Sequence, residues 1–262
     1  MTAWLFNLDA DQELAHGAGY TTPRRVAAKL RPHAAALAAT LPPGDHWLDD
    51  GPADGRPGVA WCPTPSALAR LRAAGALVPA APPFAVLQRV NGRAFAHALG
   101  ALPGERPPGS PEPTAGRWIA HREHTFAGRG HRFMDAPFGA ADRAWLAKAP
   151  AFLAPRLDLT LEVALHGLLH ADGSVQRGVV TVQHVDGTQW RRSTRAPDAL
   201  EPPEARALHD AFDEVAAALG AAGYFGPFGI DAFRHAAGFH PLSEINARYT
   251  MAWPTGMGAW TP

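Results

Sequence analysis

Apolar and polar positions follow two periods along this chain, and the changes of period divide it into elements. Trp4-Leu5-Phe6-Asn7-Leu8 is a short apolar run that predicts a buried strand. Gly17-Ala18-Gly19 then marks a loop. Over residues 23–41, Val26, Leu30, Ala34 and Leu37 recur at helical spacing, and Pro42 and Pro43 stop the helix. Residues 47–48 and 59–61 read as the next strands. Thr64-Pro65-Ser66 ahead of Leu68 and Leu71 predicts a capped helix that ends at Gly75, and Leu77-Val78 a further short strand. Strand, helix, strand, helix is the pattern of a parallel α/β layer. No glycine-rich phosphate fingerprint follows its first strand.

Residues 79–83 form a linker, and 86–99 read as one helix carrying Asn91, Arg93 and His97. The Pro- and Gly-rich stretch 103–113 predicts an exposed connection. Residues 117–120 predict a strand, followed by a basic segment around a turn at Gly128-Arg129-Gly130. After a short helix at 142–148, strands at 159–165 and 175–182 flank turns at Asp172-Gly173 and Asp186-Gly187, an antiparallel meander. A helix spans 202–220 and stops at a glycine.

The richest stretch comes last. Residues 226–233 and 242–250 are strand-like runs joined by His235-Ala236-Ala237-Gly238. Glu244, Asn246 and Arg248 stand two apart, so they share one strand face, with Ile245 and Ala247 behind. If residues 236 and 237 form the hairpin loop, Asp231 opposes Leu242 and lies diagonal to Glu244, roughly 7–8 Å away. Spacing alone fits two readings: a wet edge hairpin, or an oxygen-rich site for a hard cation and phosphate.

Composition narrows the setting. The 262 residues suffice for a substantial core in one or two domains, expected as an N-terminal α/β domain over 1–84 and a second region over 85–262. Lys+Arg 24 balance Asp+Glu 24, so neither a nucleic-acid footprint nor a membrane-surface patch is expected. A single cysteine, Cys62, excludes an internal disulfide framework and fits a reducing cytoplasm. The N-terminus lacks a signal-peptide pattern, and no apolar run is long enough to span a membrane.

Other chemistry is sparse. His121, His124 and His131 lack the spacing of a helical zinc motif and read as part of a basic loop. His166 and His170 read as surface residues beside a hairpin. Cys62 has no evident catalytic partner. Glu162, within an apolar run, needs a partner or a cation.

Taken in order, the segments from about residue 85 to 250 resemble the ATP-grasp superfamily. The most specific part is Gly229-Ile230-Asp231 followed by Glu244-Ile245-Asn246-Ala247-Arg248, with the Gly-Arg-Gly loop in support. The resemblance implies an ATP-grasp fold, two α+β subdomains gripping ATP, behind an N-terminal α/β domain. It implies an ATP- and Mg²⁺-dependent ligase that activates a small-molecule carboxylate for attack by an amine-type nucleophile. Asp231, Glu244 and Asn246 match its metal positions, and Arg248 its phosphate or intermediate contact. Gly128, Arg129 and Gly130 match the phosphate-covering loop, with Arg129 a second catalytic cation. His121 or Arg122 stands where the family usually has a lysine, Ala154 where it usually has an acidic linker residue, and Glu162 is left to serve the ribose. Substrate is expected near Asp9, Asp11 and Tyr20. A member that binds nucleotide or ligand without turnover is the alternative.

Overall fold

The computed structural model describes residues 1–126, 129–186 and 189–261. The N-terminal sheet is parallel, with β1 (Ala3–Leu5) between β2 (His46–Trp47) and β3 (Gly58–Ala60). Parallel neighbours need a crossover. Here α1 (Ala10–His16) and α2 (Arg24–Ala38) connect β1 to β2, and α3 (Pro65–Ala73) follows β3. The hydrophobic period does not reveal α1, because its buried face carries Asp11 and Glu13 alongside Ala10 and Leu14.

Three local expectations change. Leu77 makes a single bridge to Pro57 rather than a strand, and its side chain is exposed. Thr64 precedes α3 but makes no capping bond with its side chain. The Glu13 carboxylate satisfies that helix end instead, accepting from the Ser66 amide at 2.9 Å and from the Ser66 hydroxyl. The helix expected over 86–99 is two helices, α4 (Phe84–Val90) and α5 (Arg93–Gly100). Asn91 ends the first by turning its amide back to the Leu87 carbonyl at 2.9 Å, and its Oδ1 accepts from the Ala247 amide at 2.8 Å.

A second sheet is antiparallel, with β4 (Arg117–Phe126) between β5 (Arg129–Asp135) and β6 (Phe152–Pro155). Helix α6 (Ala140–Leu146) joins β5 to β6. The third sheet runs β10 (Gln189–Arg195), β9 (Thr181–Asp186), β7 (Leu159–Leu169), β11 (Gly226–His235), β12 (Gly238–Asn246), with β8 (Val175–Arg177) on the end of β7. All its pairs are antiparallel. The strand expected over 175–182 is therefore two. The backbone at Gly178 leaves the ladder to lie against Gly256, where a Cβ would meet the Gly256 carbonyl oxygen at 2.6 Å.

Helix α7 (Pro202–Ala221) covers the apolar face of this sheet. Leu208, Phe212, Val215 and Leu219 are fully buried against Leu165, Phe228 and Ile230. The Phe212 and Phe228 rings stack with centroids 4.8 Å apart. Gly167 permits this approach, since a Cβ there would lie 2.4 Å from Phe212 Cζ. Phe212→Ala is expected to cost about 3–5 kcal/mol, from lost burial plus the cavity left behind. The denaturant midpoint measures it, and an unchanged midpoint would contradict this packing. Helix α8 (Trp253–Met257) closes the chain. Trp4, Tyr249, Trp253 and Trp260 belong to the same core cluster as α7, so the N-terminal layer and the large sheet share one core. The small sheet has its own, around Trp118, Met134 and Phe138. Among the described residues no helix is long and apolar enough to cross a membrane.

Candidate functional site

Between the small sheet and the polar face of the large one lies a cavity of about 560 Å³. Strand alternation and register put Glu162, Gln183, Asp231, Phe233, Glu244 and Asn246 on the large sheet's cavity face. Val163, Leu165, Ile230 and Ile245 are buried in the core cluster.

The hairpin register is as expected beside the turn and then shifts. His235 pairs with Gly238 and Phe233 with His240, but beyond them Asp231 pairs with Glu244. From one pair to the next β11 advances two residues and β12 four. Pro241 sits inside that interval and has no N–H for the ladder. The Ser243 hydroxyl donates to the Asp231 carbonyl at 3.0 Å there. Two extra residues preserve the face, so Asp231 stands directly opposite Glu244 rather than diagonal to it. Opposed residues bring their Cβ atoms to about 4.5–5.5 Å.

The two carboxyls are held differently. Asp231 Oδ1 accepts from Gln183 Nε2 at 2.6 Å and Oδ2 from Asn246 Nδ2 at 3.1 Å. Burial first, then the Glu244 charge, pushes Asp231 up to about 7. Glu244 opens onto the cavity, yet lies deep enough in the molecule that desolvation also raises its pKa. Two like charges facing each other in a cleft repel, and a cation between them removes that repulsion. The donor set is all oxygen: two carboxylates, and the Asn246 Oδ1 left free when its amide nitrogen turns to Asp231. That suits Mg²⁺, a hard cation bound through one or two carboxylates plus phosphate oxygens. No group of three or more His, Cys, Asp or Glu placed to hold a metal exists among the described residues, so a site here relies on the amide and the substrate for its remaining ligands.

Arg248 also lines the cavity, and it is paired. Its Nε and Nη2 donate to Asp11 of α1 at 3.2 and 3.0 Å, and Nη1 donates to the Tyr249 carbonyl at 3.2 Å. A second wall cation, Arg93, has no place among the sites expected from sequence. Its Nε and Nη2 bind Glu105 Oε1 at 2.9 and 2.5 Å, and its Nη1 the Ser243 carbonyl. The signal for it was the Asn91-Gly92 break, which starts α5 at Arg93. Glu123, from β4, accepts from the Ala94 amide at 3.2 Å.

The small sheet divides the other expected residues. His121 faces the cavity opposite His131, with ring centroids 4.7 Å apart. Burial and nearby Arg93 hold both rings neutral, His121 well below the usual histidine range. A neutral ring is no substitute for a lysine charge. Arg122 also borders the cavity, but its guanidinium is already engaged. Its guanidinium stacks 3.6 Å from the Trp145 ring, Nη2 donates to the Trp145 carbonyl at 2.5 Å, and Nη1 donates to the carbonyls of Ala149 and Pro150. Arg122→Ala is therefore expected to leave nucleotide affinity within about twofold while destabilising the small sheet by about 1.5–3 kcal/mol. Calorimetric titration and thermal melting check the two halves separately. Glu162 lines the cavity, and burial raises its pKa. Gly130 adopts φ +86°. Gly128 and the Arg129 side chain lie outside the described residues.

One further expectation changes. His166 is buried, not on the surface: its Nε2 meets the Thr250 hydroxyl at 2.8 Å, Gly256 packs on its ring, and desolvation pushes its pKa down to about 4. Cys62 is fully buried, and desolvation raises its pKa strongly, as suits an inert core thiol.

No family model matches the chain. No curated protein matches it in sequence. Solved structures do match in fold. N5-carboxyaminoimidazole ribonucleotide synthetase from Thermus thermophilus is 18% identical, covering 95% of this chain and 72% of its own, at a TM-score of 0.51. Carboxyaminoimidazole ribonucleotide synthase from Aspergillus clavatus, complexed with ATP, is 10% identical, covering 95% and 70%, at 0.57. Biotin carboxylase from Campylobacter jejuni is 12% identical, covering 97% of this chain and 61% of its own, at 0.59. At these identities the likeness is one of fold: the chain has the ATP-grasp fold that these enzymes share.

Proposed function

We propose that this chain is an ATP- and Mg²⁺-dependent ligase. A small-molecule carboxylate attacks the γ-phosphorus of ATP, the bond to the β-phosphate oxygen breaks, and ADP leaves. An amine then attacks the acyl-phosphate carbon, phosphate departs, and the amine loses a proton. The observation that carries this reading is the opposed Asp231–Glu244 pair in the cleft, with Asn246 and Arg248 beside it. Asp231, Glu244 and Asn246 are the proposed metal ligands. Mg²⁺ held there would neutralise charge on the transferring phosphoryl group.

The chain's own groups do the rest. Arg248 and Arg93 are two permanent cations of the wall that are each already fixed by a carboxylate, so little reorganisation is needed when an oxyanion arrives. Glu162 is the candidate ribose contact, and Gly130, with Gly128 and Arg129, the candidate phosphate loop. The fold likeness to ATP-using ligases supports the reaction class.

A second reading is favoured by three positions. His121 is neutral, Arg122 is spent on carbonyls, and Ala154 of β6 stands where the resemblance expects an acidic residue, so the chain could bind nucleotide without turning it over. Titration calorimetry with Mg²⁺ and ATP, followed by ADP release over pools of carboxylates and amines, separates the readings. ADP release from any pool supports the ligase; binding without release supports the second; no ATP binding removes both.

A further inference from the structure

Arg248 and Asp11 do more than neutralise each other. A guanidinium carries five N–H donors. Asp11 takes the one on Nε and one on Nη2, and the Tyr249 carbonyl takes one on Nη1. One N–H on each of Nη1 and Nη2 has no acceptor among the described residues. Two donors on neighbouring nitrogens match the two oxygens of a carboxylate. Asp11 is similarly half used: each oxygen accepts one bond from Arg248 and keeps a lone pair for another donor. Both side chains are largely buried, at 12% and 15% exposure, and both line the cavity.

Charge selects the ligand further. Asp11, Glu123, Glu162, Asp231 and Glu244 all line this space; of the wall cations besides Arg248, Arg93 is matched by the fully buried Glu105, Arg122 is engaged by carbonyls and Arg156 lies over the Phe133 ring. A simple carboxylate docking on Arg248 brings a new negative charge beside Asp11. A ligand that also carries an ammonium group places a positive charge against Asp11 and adds no net charge to the cavity. Arg248 is close enough to Glu244 and Asp231 for its charge to lower both pKa values, so a carboxylate on its free donors stands beside the proposed metal pair.

We infer that Asp11 and Arg248 form the subsite for the substrate that is activated, and that this substrate is an amino acid: its carboxylate on the two free Arg248 donors, its protonated amine on Asp11. The inference rests on the ligase reading. Asp11 is the specificity residue, and the substrate amine it holds stays protonated and does not react. The γ-phosphoryl group passes to the carboxylate oxygen, and ADP leaves with the electron pair of the broken P–O bond.

Hydroxylamine tests this without knowledge of the natural amine, because it attacks an acyl phosphate to give a hydroxamate and free phosphate. Wild-type protein with Mg²⁺, ATP and hydroxylamine is offered a panel of amino acids, each beside its desamino and N-acetyl forms. Expected is hydroxamate from at least one amino acid, at least tenfold above both blocked forms. Asp11→Asn should raise the KM for that amino acid at least tenfold, with Asp11→Glu recovering part of it, while the KM for the desamino acid moves far less. Equal or greater turnover of the desamino acids overturns the inference and leaves the ligase reading standing. ATP binding with no hydroxamate from any member also overturns it. Failure to bind ATP overturns the ligase reading itself. The wild-type comparison stands even if an Asp11 variant does not fold.

Discussion

Glu244→Ala is expected to abolish the Mg²⁺-dependent part of ATP binding. The loss should be at least about 100-fold, since even groups behind the metal ligands are worth 10–100-fold in affinity. Glu244 is the better of the two carboxylates to remove. It opens onto the cavity and stands opposite Asp231, on a hairpin held by other groups. Asp231, by contrast, ties Gln183 of β9 and Asn246 of β12 to β11. Removing Glu244 also removes a like charge from Asp231, so the apoprotein should melt no lower than wild type. Calorimetric titration of ATP with and without Mg²⁺ reads the first effect, and thermal melting the second. Equal Mg²⁺ dependence in variant and wild type would remove this pair from the metal site. Lost binding together with a lowered melting point would indicate a structural role instead.

The hairpin that carries this pair was legible because period two is local: it needs only the alternation of Glu244, Ile245, Asn246 and Ala247. The register beside the turn was legible for the same reason. The shift at Pro241 was not counted, although a proline in a strand interior is itself a warning of a bulge. Correcting it moved Glu244 from diagonal to directly opposite Asp231. The break at Asn91-Gly92 had a comparable local signal, turn-forming residues inside a helical period. Other features have none. Arg122 follows His121 on one strand, but what engages its guanidinium is the Trp145 ring and carbonyls from α6 and the segment after it, more than twenty residues on. Arg248 pairs with Asp11 across 237 residues of sequence, a contact that only the completed core creates. Glu13 replaces the expected Thr64 cap in the same long-range way. Local periods thus placed the carboxyl pair, and tertiary packing decided which positive groups lie near it.

The same pair should leave a signature in metal-free protein: Asp231→Asn becomes progressively more stable relative to wild type as pH rises from 5 to 8. The sign follows from the direction of the shift. Asp231 is pushed from the ordinary 3.8 to about 7 by burial and by Glu244, so the fold prefers the protonated acid. A group whose folded pKa is raised contributes its stability fully below the unfolded value and loses it as pH climbs through the folded one. For Asp231 that window runs from about 4 to about 7. The full shift corresponds to at most about 4 kcal/mol, an upper bound that solvent in the cavity reduces. The histidines whose pKa values burial lowers, His121, His124, His131, His166 and His240, act with the opposite sign in the acid range. They are present in both proteins, so the difference in melting point between variant and wild type reads the linked Asp231–Glu244 pair. Mg²⁺ should act the other way, since its binding requires both carboxylates ionised. Added Mg²⁺ with ATP should raise the wild-type melting point more at pH 8 than at pH 6, and the variant's little at either. A difference between the two proteins that stays flat from pH 5 to 8 would mean that Asp231 titrates as an ordinary carboxyl, and would remove the like-charge repulsion from which the cation site is argued.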